Sequence, residues 1–428
     1  MGRCGHRICR IGRFATHPGN HCAHSSLPSE SHPLVPCFRR PIRMRLLDRS
    51  CSRFVYTPKN TPRTCGHYKG DKALIIFIYG TTAEAIKLAP IARRLDERGI
   101  AHQHWLTLQH TTALMQALPE LGLPLPDQTI ANGNGGEPLR SYRDVLMWLV
   151  QVQRWLWKNA ARLRGSLPKN TVILVHGDTM TSVVGAYIAR KLGVKSAHVE
   201  AGLRSGNWRH PFPEELDRRI VGSLASIHYT PSEQATKNLA GKTNIVYTHG
   251  NTVIDAVLDH HATDSAPTAK YGIVLLHRFE FISNPQLVEE TMAALGDSRF
   301  PLKIMVDAYS RQAVDEAISK LGKAGLQSEP KVRHEQFISQ LRSAEFIVTD
   351  SGGIQEETAL LGIPTLVHRR TTERQEGMGR NAVLSGWDTA KLADFLRNYE
   401  QYKQPATKPA ISPSDVVVDD LVRRGYAE

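Results

Sequence analysis

The segment TDSGGIQEETALLG, Thr349 to Gly362, follows directly on the run Glu345-Phe346-Ile347-Val348. It passes through Ser351-Gly352-Gly353 into residues whose apolar positions Ile354, Ala359 and Leu360 suit a short buried helix. It reads as a strand, a glycine turn and a helix N-terminus. The first turn of a helix carries backbone N–H groups without partners and the positive end of the dipole, and glycines let a bulky anion reach them. A phosphate is the natural occupant. The competing reading is a tight turn with Asp350 or Ser351 as an ordinary N-cap.

The same grammar extends outward in both directions. Ala73 to Tyr79, ALIIFIY, is an apolar run of strand length that leads through Gly80-Thr81-Thr82 into the helical pattern LAPIARRLDERG. His104 to Leu108 reads as a second strand, followed by a helix through Leu114 and Leu118. Arg140 to Leu167 reads as a long amphipathic helix, with Trp148, Trp155 and Trp157 expected in the core. Further strands are expected from Thr171 to Val175, Lys195 to Val199, Ile227 to Tyr229 and Asn244 to Tyr247, with helices from Thr179 to Leu192 and opening at Glu214. Gly272 to Leu276, Leu302 to Val306, Glu345 to Val348 and Pro364 to Val367 repeat the rhythm. The helix from Thr252 to His261 and the tract ATDSAPTA at 262–269 are expected to cross between the halves.

Apolar strands alternating with helices predict parallel sheets covered on both faces. The expected fold class is α/β: two doubly wound Rossmann-like domains, residues 72–250 and 251–428, facing each other across a cleft. Such sheets bind ligands beyond the carboxyl ends of their strands.

With 428 residues and 41% hydrophobic composition the chain has room for two full cores, and no apolar run approaches the roughly 18 residues needed to cross a membrane. The formal charge of +13 would suggest a nucleic-acid or membrane partner if it were spread evenly. It is concentrated instead: residues 1–70 hold 11 Arg and 2 Lys against Glu30 and Asp48, leaving a body close to neutral. All six cysteines, from Cys4 to Cys65, lie there too, with no CxxC pair and no metal-site spacing. Residues 1–71 are therefore expected to be a disordered or non-native basic, Cys-rich extension, translated from an upstream start that the cell does not use. The cysteine-free body fits a cytoplasmic protein without a nucleic-acid partner.

Functional side chains collect at strand ends in this architecture. Asp178 ends one strand, Glu200 ends the next, and Glu214 opens the following helix. Carboxylates converging on one cleft divide acid and base work, because like charges push their pKa values apart. The competing readings are an N-cap role for Asp178 and i,i+4 pairing of Glu214 and Glu215 with Arg218 and Arg219. His277-Arg278 closes the strand GIVLLH, and Arg374 lies close downstream of the SGG helix. Together they suggest an anionic ligand.

Six motifs carry a resemblance: HGDTMTS at 176–182, HVEAGLRSG at 198–206, PFPEELDRR at 211–219, GNTVIDA at 250–256, DSGGIQEE at 350–357 and RTTERQE at 370–376. In this order the chain resembles the non-hydrolysing UDP-N-acetylglucosamine 2-epimerases over nearly all of residues 73–390. The resemblance implies a GT-B fold, a homodimer, and epimerisation at C2 of a UDP-activated 2-acetamido sugar for polysaccharide biosynthesis. In that reaction the C2 proton is removed while UDP departs, and UDP adds back to 2-acetamidoglucal after reprotonation on the other face. The resemblance further implies acid/base roles for Asp178, Glu200 and Glu214, with His277 beside the diphosphate. Ser351, Gly352 and Gly353 would bind that diphosphate at the helix terminus, Glu357 would hold the ribose hydroxyls, and Lys87, Arg278 and Arg374 would contact substrate. No metal or other cofactor is implied.

Several positions depart from the family pattern. The first loop reads GTTAEAIK where the family has GTRPEAIK, so Thr82 replaces an arginine. Phe281 stands where asparagine is expected after His277-Arg278, Gln375 replaces a proline, and Leu108 replaces a glycine before Gln109-His110. Alternative readings are a hydrolysing 2-epimerase, a GT-B glycosyltransferase, or, given Thr82, a catalytically silent nucleotide-sugar binder.

Overall fold

The computed structural model describes residues 73–109, 111–134, 139, 141–206, 213–259, 270–323 and 325–427. The expected extension over 1–71, His110, the turn at Pro211 and the tract 262–269 lie outside the described residues.

The first sheet has seven parallel strands: β1 (Ala73–Tyr79), β2 (His102–Leu106), β3 (Gln128–Thr129), β4 (Asn170–His176), β5 (Lys195–Val199), β6 (Ile227–Thr230) and β7 (Ile245–Tyr247). Their order is β3-β2-β1-β4-β5-β6-β7. The second has six: β8 (Gly272–Leu275), β9 (Leu302–Val306), β10 (Ser328–Pro330), β11 (Phe346–Thr349), β12 (Thr365–Val367) and β13 (Ala382–Leu384), ordered β10-β9-β8-β11-β12-β13. Each order reverses once, between β1 and β4 and between β8 and β11. Doubly wound sheets open a crevice at that point of their carboxyl edge.

β1 explains why these runs become buried parallel strands. Ile75, Phe77 and Tyr79 face a core shared with Leu88, Ile91 and Leu95 of the helix Thr82–Glu97, whereas Leu74, Ile76 and Ile78 face a second core with Trp148, Val152 and Ile188. With both faces covered, each large aliphatic side chain contributes about 1.5–3 kcal/mol of burial. The second sheet repeats the pattern: Val274 and Val348 lie in one core with Met292 and Phe395, and Ile273, Leu275 and Ile347 lie in the other with Phe337 and Leu360.

The structure departs from expectation in four places. β2 begins at His102 rather than His104; the rings of His102 and His104 pack on Phe77 at 5.6 and 5.0 Å between centroids, standing in for aliphatic side chains. Leu108 lies beyond that strand, at φ 49°. In the long helix Tyr142–Ser166, Trp148 is fully buried and donates its indole N–H to the Thr107 carbonyl at 2.7 Å, but Trp157 is 82% exposed. Position 157 is nine residues on from 148, half a revolution away on a helix of 3.6 residues per turn, so the two rings cannot share a core. Finally, the last helix, Pro413–Arg423, inserts Val417, Val418 and Leu421 into the core of the first sheet, although it follows the second sheet in sequence.

Candidate active site

At the second switch point, β8 and β11 run side by side with Thr349 opposite Leu275. Asp350 therefore sits beside His277 and Arg278. Its Oδ2 accepts both their backbone N–H groups at 2.8 Å, and its Oδ1 lies 3.2 Å from His277 Nδ1. The contact with the His277 ring, the backbone hydrogen bonds and the Arg278 charge outweigh burial and hold the Asp350 carboxyl below the usual carboxylate range. Its carboxylate thus fastens two strand ends together and does not cap the helix Gly352–Leu361. Ser351, the N-cap, makes no side-chain cap bond either. The ordinary-cap reading fails, and the first-turn N–H groups of that helix are left for an external acceptor.

Both glycines are closely approached. A Cβ on Gly352 would lie 3.2 Å from Arg374 Nε, and one on Gly353 would lie 3.9 Å from Lys87 Cε. Lys87 belongs to the helix after β1 and Arg374 to the loop after β12, so cations from both sheets flank the turn. Arg278, partly buried, donates from Nε to the Asp350 carbonyl at 3.0 Å.

The opposite wall rises from β4 and β5. Gly177, at φ 71°, turns the chain out of β4 and presents Asp178, whose carboxylate accepts from Arg218. Thr179, not Asp178, caps the next helix, Met180–Leu192. Likewise Glu215, not Glu214, pairs with Arg218 and Arg219, at 3.5 and 3.2 Å. Glu214 Oε2 is buried without a hydrogen-bond partner. Burial raises its pKa, helped by Asp178 and opposed by Arg278. One turn on, Asp217 is pushed up to about 8 by burial and by the charges of Asp178 and Glu214. A carboxyl group that keeps its proton near neutral pH can donate it.

Glu200 differs from these groups. It ends β5 at φ 66°, a strained conformation for a non-glycine residue, and is buried among cations. Lys87 Nζ lies 2.6 Å from Oε2, Arg374 Nη2 lies 2.7 Å from Oε1, and Asn251 Nδ2 also donates. Arg374 and Lys87 overcome the effect of burial and hold its carboxyl well below the usual range. Arg374 is fixed further by Glu356, at 2.6 Å.

The candidate residues therefore fall in one place with distinct partners. Glu357, on the helix Gly352–Leu361, lies with Oε1 3.2 Å from His334 Nε2. Thr82 Oγ1 is buried without a hydrogen-bond partner among the described residues. Phe281 is fully buried, edge-on to His368 at 5.7 Å, in the core of the second sheet that holds Val274 and Met292. Sequence reasoning named Arg218 only as a partner of Glu214 or Glu215, and passed over Asp217, Asn251, Asp350 as a tether, Glu356, Glu373 and His334. Most lie inside the quoted motifs, and their polarity within otherwise buried elements was the available signal.

Comparison with known proteins places this geometry. Residues 94–409 match the family model described as UDP-N-acetylglucosamine 2-epimerase. The chain is similar to the UDP-N-acetylglucosamine 2-epimerase of Bacillus subtilis (strain 168), 30% identical over 363 residues that cover 79% of this chain and 88% of the relative. It is also similar to that of Campylobacter jejuni, 30% identical over 339 residues covering 72% and 84%. Among solved structures it resembles the Methanocaldococcus jannaschii UDP-GlcNAc 2-epimerase in complex with UDP-GlcNAc and UDP, with a TM-score of 0.69 and 26% identity, covering 82% of this chain and 99% of that one. The Neisseria meningitidis UDP-GlcNAc 2-epimerase bound to UDP-GlcNAc gives a TM-score of 0.70 at 25% identity, covering 82% and 100%. The two parallel sheets are those of the GT-B fold.

Proposed function

The chain belongs to the UDP-N-acetylglucosamine 2-epimerase family, and from that premise we propose that it is a non-hydrolysing enzyme inverting C2 of UDP-N-acetylglucosamine, or of a modified relative, by eliminating and re-adding UDP. The observation that carries the reading is the uncapped amino end of the helix Gly352–Leu361, flanked by Lys87 and Arg374 and facing acidic groups from the other sheet. A sugar C2–H beside no carbonyl is poorly acidic. Its removal needs a placed base together with strong stabilisation of the departing diphosphate.

In the proposed reaction a carboxylate takes the C2 proton, the C–H electron pair forms the C1–C2 double bond, and the C1–O pair leaves with UDP. Reprotonation at C2 from the other face and return of the diphosphate oxygen to C1 complete the inversion. Asp178, Glu200 and Glu214 divide the proton transfers, and Glu214, which burial biases towards its protonated form, suits the donor role. Ser351, Gly352 and Gly353 receive the diphosphate, with His277, Arg278, Lys87 and Arg374 around it. Glu357, oriented by His334, takes the ribose hydroxyls. The two sheets act as two domains that meet near residue 250.

The working unit is a homodimer. Tyr142, Leu146, Leu149 and Trp157 are exposed and fall on one stripe of the helix Tyr142–Ser166, an apolar face suited to a second copy.

Incubation with UDP-N-acetylglucosamine in heavy water tests the reading. Deuterium at C2 of retained UDP-sugar supports it. Release of free sugar and UDP, or turnover only when an acceptor is added, would replace it with hydrolysis or glycosyl transfer.

A further inference from the structure

Two cations serve two places at once. Lys87 and Arg374 both bind Glu200, at 2.6 and 2.7 Å, and both lie against the Gly352–Gly353 turn. A diphosphate on that turn would carry more charge than one carboxylate, and it would offer oxygens to the same two side chains. Glu200 cannot follow them, because its backbone is pinned at φ 66° between β5 and the Ala201 N–H bond to the Tyr229 carbonyl at 2.8 Å. We infer that diphosphate binding draws Lys87 and Arg374 away from Glu200, and that this exchange turns Glu200 from a fixed counter-ion into a proton acceptor. This rests on the proposed substrate and goes beyond it: the chain arms one of its acid/base groups only when nucleotide is seated.

The other groups around Glu200 do not cancel the effect. His176, 3.7 Å away at the end of β4, is held neutral by burial, at about 3, and supplies no replacement charge. Asn251 is uncharged, and Arg218 acts on Glu200 only at longer range. Glu356, on the other side of Arg374, is pushed up to about 8 by burial and the nearby Glu376. Once its two cations turn away, Glu200 is a buried carboxylate beside other acids, and burial favours its protonated form.

Calorimetric titration of the full chain with UDP and with uridine, at pH 6 in buffers of differing ionisation enthalpy, tests this. Glu200→Gln removes the competing anion, so UDP should bind about tenfold more tightly while uridine affinity stays unchanged. Wild type should also take up more protons on binding UDP than this variant does, the protons of UDP itself being common to both. Lys87→Met carries the same test on a different residue: UDP affinity should fall about tenfold and the extra proton uptake should shrink, again without effect on uridine. If Glu200→Gln binds UDP no more tightly and takes up as many protons as wild type, or if Lys87→Met binds UDP like wild type, the exchange is wrong, while UDP binding and the epimerase reading stand. Failure of the wild type to bind UDP would remove both.

Discussion

Arg218 Nη2 lies 3.3 Å from Glu373 Oε1, and the same nitrogen donates to Asp178. One guanidinium, rooted in the helix Glu214–Leu224, therefore ties a candidate proton-transfer group on its own wall to the loop after β12 on the other. Burial works against such a charge, but Asp178 and Glu373 together raise the Arg218 pKa, and Arg369 and Arg218 hold Glu373 far below the usual carboxylate range. Within this network the acids are positioned by contacts from both sheets, and the following outcomes are expected.

Asp178→Asn and Glu214→Gln should each reduce deuterium incorporation at C2 by about 10²–10⁴-fold, the usual contribution of a placed acid or base. UDP affinity should change only a few-fold, since neither side chain lies at the Gly352 turn. Proton NMR of the recovered UDP-sugar and a parallel UDP titration check both halves. Near wild-type exchange in the two variants would take these residues out of the mechanism.

Gly352→Ala should weaken UDP binding by about tenfold or more. The added methyl would meet Arg374 Nε at 3.2 Å and Cγ at 3.3 Å, and Arg374 is held by Glu200 and Glu356 and has little room to yield. A cation shifted by a few tenths of an ångström loses much of a charge-assisted bond. Titration with UDP reads the loss, and uridine serves as the control.

Leu146→Asp combined with Leu149→Asp should give a monomer in sedimentation analysis, with the far-UV spectrum unchanged, because these side chains contribute to no described core. Trp148→Ala should behave in the opposite way. It leaves a cavity beneath β1 and an unpaired Thr107 carbonyl, lowering unfolding stability by about 3–5 kcal/mol in urea.

His198 is buried and donates from Nε2 to the Gly177 carbonyl at 2.8 Å, and burial depresses its pKa to about 4. Unfolded, it would titrate near 6.5. Between those values the unfolded chain binds the extra proton, so this contribution is fully present above about pH 6.5 and is lost as the pH falls, amounting to about 2 kcal/mol at pH 5. Asp217 and Glu356, raised to about 8, act in the opposite sense, so the informative comparison is between wild type and His198→Gln. The variant should lose about 2 kcal/mol less than wild type between pH 7 and 5 in urea unfolding. Equal losses would mean that His198 is not held neutral.

Much of the architecture was legible because parallel strands covered on both faces must be apolar throughout. Ala73–Tyr79 fills its strand from end to end for that reason. β3 (Gln128–Thr129) and β10 (Ser328–Pro330) escaped notice because they have two or three polar or proline residues and no hydrophobic run. Trp157 was misplaced by counting aromatic residues without tracking their angular position around the helix.

At the site, local chemistry set the candidates: a glycine turn before a helix, and acids at strand ends. It did not set their partners. Glu200 and Arg374 are 174 positions apart, and only the packing of one sheet's carboxyl edge against the other brings them to 2.7 Å. Backbone propensity and burial patterning act over a few residues and can be read along the chain. Charge pairing acts through space, and so the division of these carboxyls into a clamped Glu200, its pKa pulled down by cations, and a buried Glu214 and Asp217, theirs pushed up, was decided by the tertiary structure.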